Sequence, residues 1–205
     1  MSSLVPKHIQ RLAPYIPGTP IDQIRREYGI EHPVKLASNE SAIGASPRVA
    51  EAVAKLVADI HRYPDPRAHD LRAALAAHWG ITPGELAFGN GSNELIDLVC
   101  RVFAGGDDHV VFGDPSFLCY RIACVAGAVP FTDVPLTDGL AWDVPAMLAA
   151  VTPRTRILFL SNPNNPTGAY VGGEALRHLL TSLPREVIPV LDEAYAEFVT
   201  APDFV

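Results

Sequence analysis

Three short polar clusters in this chain hold the residue types that chemistry needs. The first, Gly89-Asn90-Gly91-Ser92-Asn93-Glu94, lies between the apolar Leu86-Ala87-Phe88 and a helical pattern of Leu95, Ile96, Leu98, Val99 and Val102. A glycine turn that opens a helix offers free backbone N–H groups and the positive end of the helix dipole, which together suit a phosphate. The same glycines serve equally well in a turn that binds nothing. The cluster is not a dinucleotide fingerprint, because Glu94 stands where the third glycine would be. Nor is it a P-loop, since no Gly-Lys-Ser or Gly-Lys-Thr occurs anywhere.

The second cluster, Asn162-Pro163-Asn164-Asn165-Pro166-Thr167-Gly168, follows the apolar run that ends at Leu160. Two prolines, three asparagines and a glycine make a stiff turn, which is a complete explanation in itself. An amide fixed at a strand end can also hold a ligand oxygen by a hydrogen bond. The third is Val190-Leu191-Asp192-Glu193-Ala194-Tyr195. A carboxylate that emerges from an apolar strand loses hydration unless it meets a cation or hydrogen-bond donors, so Asp192 calls for a positive partner. An apolar strand ending in Asp-Glu also occurs in ATP hydrolases as a metal-holding strand, but here it comes without the P-loop that accompanies it there.

The elements that must position these clusters alternate between strand and helix. Ser46-Pro47 starts a helix through Val49, Val53, Leu56, Val57 and Ile60, ending before Tyr63-Pro64. A second runs from about Ala68 to His78 and stops at Gly80. Leu86–Phe88, Val110–Phe112, Val129–Phe131, Ile157–Leu160 and Val187–Leu191 read as strands, with Pro189 an awkward presence in the last. Helices separate them, from about Asn93, from Pro115 through Val125, ending at Leu148–Val151, and over Glu174–Leu180. This rhythm predicts an α/β fold with a mainly parallel sheet flanked by helices. Ligands in such sheets bind beyond the carboxyl ends of the strands, where all three clusters fall. Pro6, Pro14, Pro17 and Pro20 make the first 20 or so residues an extended N-terminal arm with turns.

Composition narrows the function classes. The chain has 205 residues, 48% of them hydrophobic, enough for one large core. A net charge of −7 argues against a nucleic-acid partner, which would need clustered Lys and Arg. No apolar run approaches a membrane span, and residues 1–14 lack the apolar centre of a signal peptide, so a cytoplasmic location is expected. Cys100, Cys119 and Cys124 suit free, packed thiols in a reducing compartment. The seven histidines show no metal-ligand spacing, and no metal is assigned.

Taken in order, six motifs resemble the fold-type-I pyridoxal-phosphate enzymes, specifically the histidinol-phosphate aminotransferase group. They are Pro14-Tyr15 with Pro17-Gly18, Leu36-Ala37-Ser38-Asn39-Glu40, Arg62-Tyr63-Pro64-Asp65, the Gly89–Glu94 turn, Asn164-Asn165-Pro166-Thr167-Gly168, and Asp192-Glu193-Ala194-Tyr195. The resemblance implies pyridoxal 5'-phosphate as cofactor, with a small-molecule amino donor and a 2-oxo acid as substrates. It implies that Gly91, Ser92 and Asn93 hold the cofactor phosphate, that Tyr120 stacks on the pyridine ring, and that Asn165 and Tyr195 bond its phenolic oxygen. Asp192 would pair with the protonated ring nitrogen. Tyr63 would reach the phosphate of a neighbouring subunit, implying a homodimer, and Tyr15 would cover the substrate. Both Tyr63 and Tyr120 could instead be packing residues.

Two departures stand out. Relatives commonly read Asn-Pro-Leu-Gly after the Asn-Glu pair, whereas this chain has Ser41-Ala42-Ile43-Gly44. The only lysines are Lys7, Lys35 and Lys55, none at the family's Schiff-base position, which falls downstream of Asp192. The resemblance therefore implies an arm at residues 1–35 and, over 36–205, an incomplete cofactor-binding large domain with an N-terminal contribution to the small domain. It also implies that two further strands stand between the strand bearing the phosphate turn and the one bearing the acid.

Overall fold

The computed structural model describes residues 4–12, 18–36 and 38–204. Contacts divide the chain into two compact units, one over Pro14–Ala87 and one made of Met1–Ala13 with Phe88–Val205. No break falls at residue 35, where an arm was expected to end, because the stretch before it contains α1 (Ile21–Tyr28). Ile21, Ile24 and Tyr28 recur at helical spacing, Pro20 precedes the first turn, and Gly29 ends the helix at φ 65° with its N–H on the Arg25 carbonyl. Four prolines in the first 20 residues concealed this short helix from sequence reading.

In the same unit, α2 (Pro47–Leu56) begins after Ser46, which takes the N-cap position without a side-chain hydrogen bond. α3 (His69–Trp79) ends at Gly80, whose N–H returns to the Ala76 carbonyl. The Arg72 guanidinium donates to the carbonyls of Pro83 and Leu86, both at 2.6 Å. Leu86–Phe88, expected as a strand, lies outside the sheet, with the Leu86 carbonyl held by an arginine side chain instead.

The other unit carries the sheet. Its elements are α4 (Gly91–Phe103), β1 (His109–Asp114), α5 (Cys119–Ala126), β2 (Phe131–Pro135), α6 (Val144–Ala149), β3 (Thr155–Ser161), α7 (Gly173–Ser182) and β4 (Ile188–Asp192). The strands lie in the order β2-β1-β3-β4, and every pairing is parallel. Side chains alternate across the pleat. Val110, Phe112, Ile157 and Phe159 pack on one face against Ile96 and Cys100 of α4 and Tyr120 and Cys124 of α5. Val111, Leu158 and Leu160 pack on the other against Met147 of α6 and Leu176 and Leu179 of α7. Coverage on both faces is why β1 and β3 read as unbroken apolar runs rather than alternating ones.

Pro189 is tolerated because β4 is an edge strand among the described residues, where a missing N–H can face away from the neighbour. Gly113 is required near the end of β1. A Cβ there would come within 2.1 Å of the Trp142 ring. At the opposite end of the sheet, the buried His109 ring bonds Thr155 and Thr132 hydroxyls, both at 2.9 Å, tying β1 to β3 and β2. Burial, reinforced by the charge of Arg154, holds its pKa below the ordinary histidine value. Cys100, Cys119 and Cys124 are free thiols, the first and last buried in the core. Among the described residues, no helix is long and apolar enough to cross a membrane.

Candidate functional site

The carboxyl ends of β3 and β4 and the start of α4 meet at one pocket. Its walls include Ser92, Phe117, Ser161, Asn165, Asp192 and Tyr195. Each arrives there for a local reason.

Gly91 opens α4 at φ 76°, a left-handed conformation that only glycine adopts without strain. Helix geometry leaves the first N–H groups, those of Ser92 and Asn93 among them, without intrahelical acceptors. Glu94, the residue that broke the dinucleotide pattern, curls back so that Oε2 accepts from the Asn90 backbone N–H at 2.5 Å and its Nδ2 at 3.0 Å. This bond shapes the turn from behind.

The asparagine turn separates into scaffold and site. Asn162 is buried and reciprocally bonded to the Val171 backbone, accepting at 2.8 Å and donating at 3.1 Å. Asn164 is also buried and donates to the Pro115 carbonyl at 3.0 Å and to Thr167 Oγ1 at 2.8 Å, so it ties the turn after β3 to the loop after β1. Asn165 alone of the three lines the pocket.

Asp192, the last residue of β4, is half-buried. Its Oδ2 accepts from the Tyr120 hydroxyl at 2.7 Å, and its Oδ1 from the Ala194 N–H at 3.2 Å. Asp192 takes part in none of the ion pairs among the described residues, so none of these supplies the cation expected beside it. A carboxylate with donors behind it and no counter-ion presents negative charge to the pocket, and a cationic ligand group would complete it. With free N–H groups at the other wall, the pocket can take a molecule that carries a phosphate at one end and a protonated ring nitrogen at the other. That donor set fits pyridoxal phosphate.

The structure corrects one expected role. Tyr120 has no exposed surface, and its ring stacks on Phe159 at 4.7 Å between centroids and 9° between planes. No face is open to a ligand, so Tyr120 cannot stack on a pyridine ring. Phe117, three positions earlier and half-buried, is the aromatic side chain of that segment on the pocket wall. The resemblance did not single out Phe117, which lies in the turn before α5, a helix that begins at Cys119 and not at Pro115 as expected.

Two expected residues are not brought to this pocket by anything described. Tyr63 is fully exposed in the other unit, and Tyr15 lies outside the described residues.

The profile of the family described as "Aminotransferase class I and II" matches residues 31–205. The chain belongs to this aminotransferase family. It is 45% identical over 193 residues to a histidinol-phosphate aminotransferase of Halalkalibacterium halodurans, covering 94% of this chain and 52% of that one. Another of the same name, from Anaeromyxobacter sp., is 41% identical over 201 residues, covering 98% and 55% respectively. The crystal structure of histidinol-phosphate aminotransferase from Sinorhizobium meliloti in complex with pyridoxal-5'-phosphate superposes with a TM-score of 0.84 at 30% identity, covering 95% of this chain and 52% of that one. This aminotransferase chain thus spans about half the length of the relatives it matches.

Proposed function

We propose that the full-length protein is a pyridoxal-phosphate-dependent histidinol-phosphate aminotransferase of histidine biosynthesis. It exchanges an amino group between L-histidinol phosphate and 2-oxoglutarate. The observation that carries this reading is the meeting of Ser92, Asn165, Asp192 and Tyr195 at one pocket, from three separate motifs. The identity to enzymes of that name over nearly the whole chain supports the substrate.

When bound, pyridoxal phosphate supplies an electron-accepting ring that stabilises charge developing at the substrate's α-carbon. The chain's residues bind and orient it. Backbone N–H groups of Ser92 and Asn93 hold the phosphate, Asn165 and Tyr195 bond the phenolic oxygen, and Phe117 covers a ring face. Asp192 keeps the ring nitrogen protonated. Tyr63 reaches the phosphate of a second subunit in a cytoplasmic homodimer, and Tyr15 covers the substrate. Residues 36–205 form part of the cofactor-binding large domain with an N-terminal contribution to the small domain, and the remainder of the protein brings the lysine that holds the cofactor's aldehyde.

Side-by-side rates of the full-length protein test the substrate. Amino transfer from L-histidinol phosphate to 2-oxoglutarate is expected to exceed transfer from phenylalanine by at least about a hundredfold in kcat/KM, the discrimination a site built for a phosphate gives. Faster turnover of phenylalanine would make the protein an aromatic amino-acid aminotransferase instead.

The phosphate turn has its own test. Gly91→Val forces a β-branched residue to φ 76°, where the strain amounts to roughly 1–3 kcal/mol. Open space surrounds the position, so backbone strain and not a clash is the cause. Visible absorbance after dialysis is expected to show cofactor loss from this variant and retention in the parent. Equal retention places the phosphate elsewhere.

A further inference from the structure

The hydroxyl of Tyr120 is placed where the pocket's chemistry depends on it, although the residue touches no ligand. Its ring is fixed by Phe159 in a parallel stack and by Phe117 at 5.9 Å and 84°, edge to face. Asp192, by contrast, is the last residue of β4, an edge strand among the described residues. Its carboxylate is held at two points, by the Tyr120 hydroxyl from α5 and the Ala194 N–H from its own loop. A carboxylate has about four lone-pair positions, so two remain for a ligand.

The kind of donor matters. An arginine or lysine behind Asp192 would neutralise it and compete with any cation in the pocket. Tyr120 is a neutral donor: burial, and then the negative charge of Asp192, push its pKa far above the ordinary tyrosine value, so the proton stays on the phenol. The hydroxyl therefore bonds the carboxylate without bringing a competing cation to it.

We propose that Tyr120 is a positioning residue that holds the Asp192 carboxylate aimed at the ring nitrogen, setting the strength of that pairing from behind. The inference rests on the cofactor reading above and adds to it a residue that sets how strongly the ring nitrogen is held.

The test uses the full-length protein, wild type and Tyr120→Phe, because phenylalanine keeps the ring stack and removes only the hydroxyl. Two probes are titrated by calorimetry: pyridoxamine phosphate, which binds without the lysine, and its analogue with carbon in place of the ring nitrogen. With one of the two contacts that aim the carboxylate gone, Tyr120→Phe is expected to weaken pyridoxamine phosphate by about tenfold. The carbon analogue has no ring proton for Asp192 and is expected to bind both proteins equally. Unchanged affinity for pyridoxamine phosphate, or an equal loss for both probes, overturns the proposal; an equal loss would mean that Tyr120 only supports the pocket's shape. A wild-type protein that does not distinguish the two probes overturns the Asp192 reading and the Tyr120 proposal with it.

Discussion

In the full-length protein, Asp192→Ala and Asp192→Asn are both expected to reduce amino transfer by about a hundredfold to a thousandfold. The factor follows from the charge. A preorganised electrostatic partner at a reacting centre carries about 3–4 kcal/mol of the barrier, and every 1.36 kcal/mol is tenfold in rate. The two substitutions separate charge from structure. Alanine leaves the buried Tyr120 hydroxyl without its acceptor, a loss of roughly 1–3 kcal/mol in stability. Asparagine still offers a carbonyl oxygen to that hydroxyl, so its melting temperature is expected to stay nearer the parent's while its turnover falls just as far. Initial rates with L-histidinol phosphate, read beside thermal melts, check both. Near-normal turnover in the asparagine variant would show that the charge of Asp192 is not used.

What could be foreseen in this site follows from how local each signal is. Asp192 was legible because a carboxylate at the end of an apolar strand is a conflict within six consecutive residues, Val187–Asp192, and needs no tertiary information. The β3 run Ile157–Leu160 was legible for the same reason: a strand covered on both faces is apolar at every position. The asparagine turn was legible only as a group. That Asn162 and Asn164 bond the backbone while Asn165 faces the pocket depends on Val171 and Pro115, which are 9 and 49 residues away from their partners.

Tyr120 and Phe117 show the same limit more sharply. Tyr120 was assigned by resemblance, and which ring turns to the pocket is decided by the packing of Tyr120 on Phe159, a contact between α5 and β3 that no local pattern carries. Leu86–Phe88 failed for a related reason. Three apolar residues make a strand only beside a partner, and here the Leu86 carbonyl meets Arg72. Strand propensity describes a surface that fits a neighbour, not a chain that pairs on its own.

A polypeptide of these 205 residues alone is expected to show no transaminase turnover and no stoichiometric capture of the cofactor. None of the residues lining the pocket is a lysine, so its aldehyde meets no ε-amine there. Lys35 is paired with Glu40 and Lys55 lies on α2, both in the unit that does not carry the sheet. The same polypeptide leaves apolar surface in water. Among the described residues β4 has one neighbouring strand, and an apolar groove runs along it beside Leu95 and Val99 of α4. Val49, Val53, Leu56, Val57 and Ile60 form an exposed stripe on and just after α2. Open strand edges and apolar stripes of this extent drive self-association, although Pro189 blunts the β4 edge by removing a donor. Sedimentation is therefore expected to show oligomers that grow with concentration. Borohydride reduction with pyridoxal phosphate, followed by peptide mapping, is expected to show scattered, substoichiometric labelling of the lysines. Stoichiometric labelling of one lysine together with measurable turnover would show that these residues make a working site unaided, and that the lysine need not come from the rest of the protein.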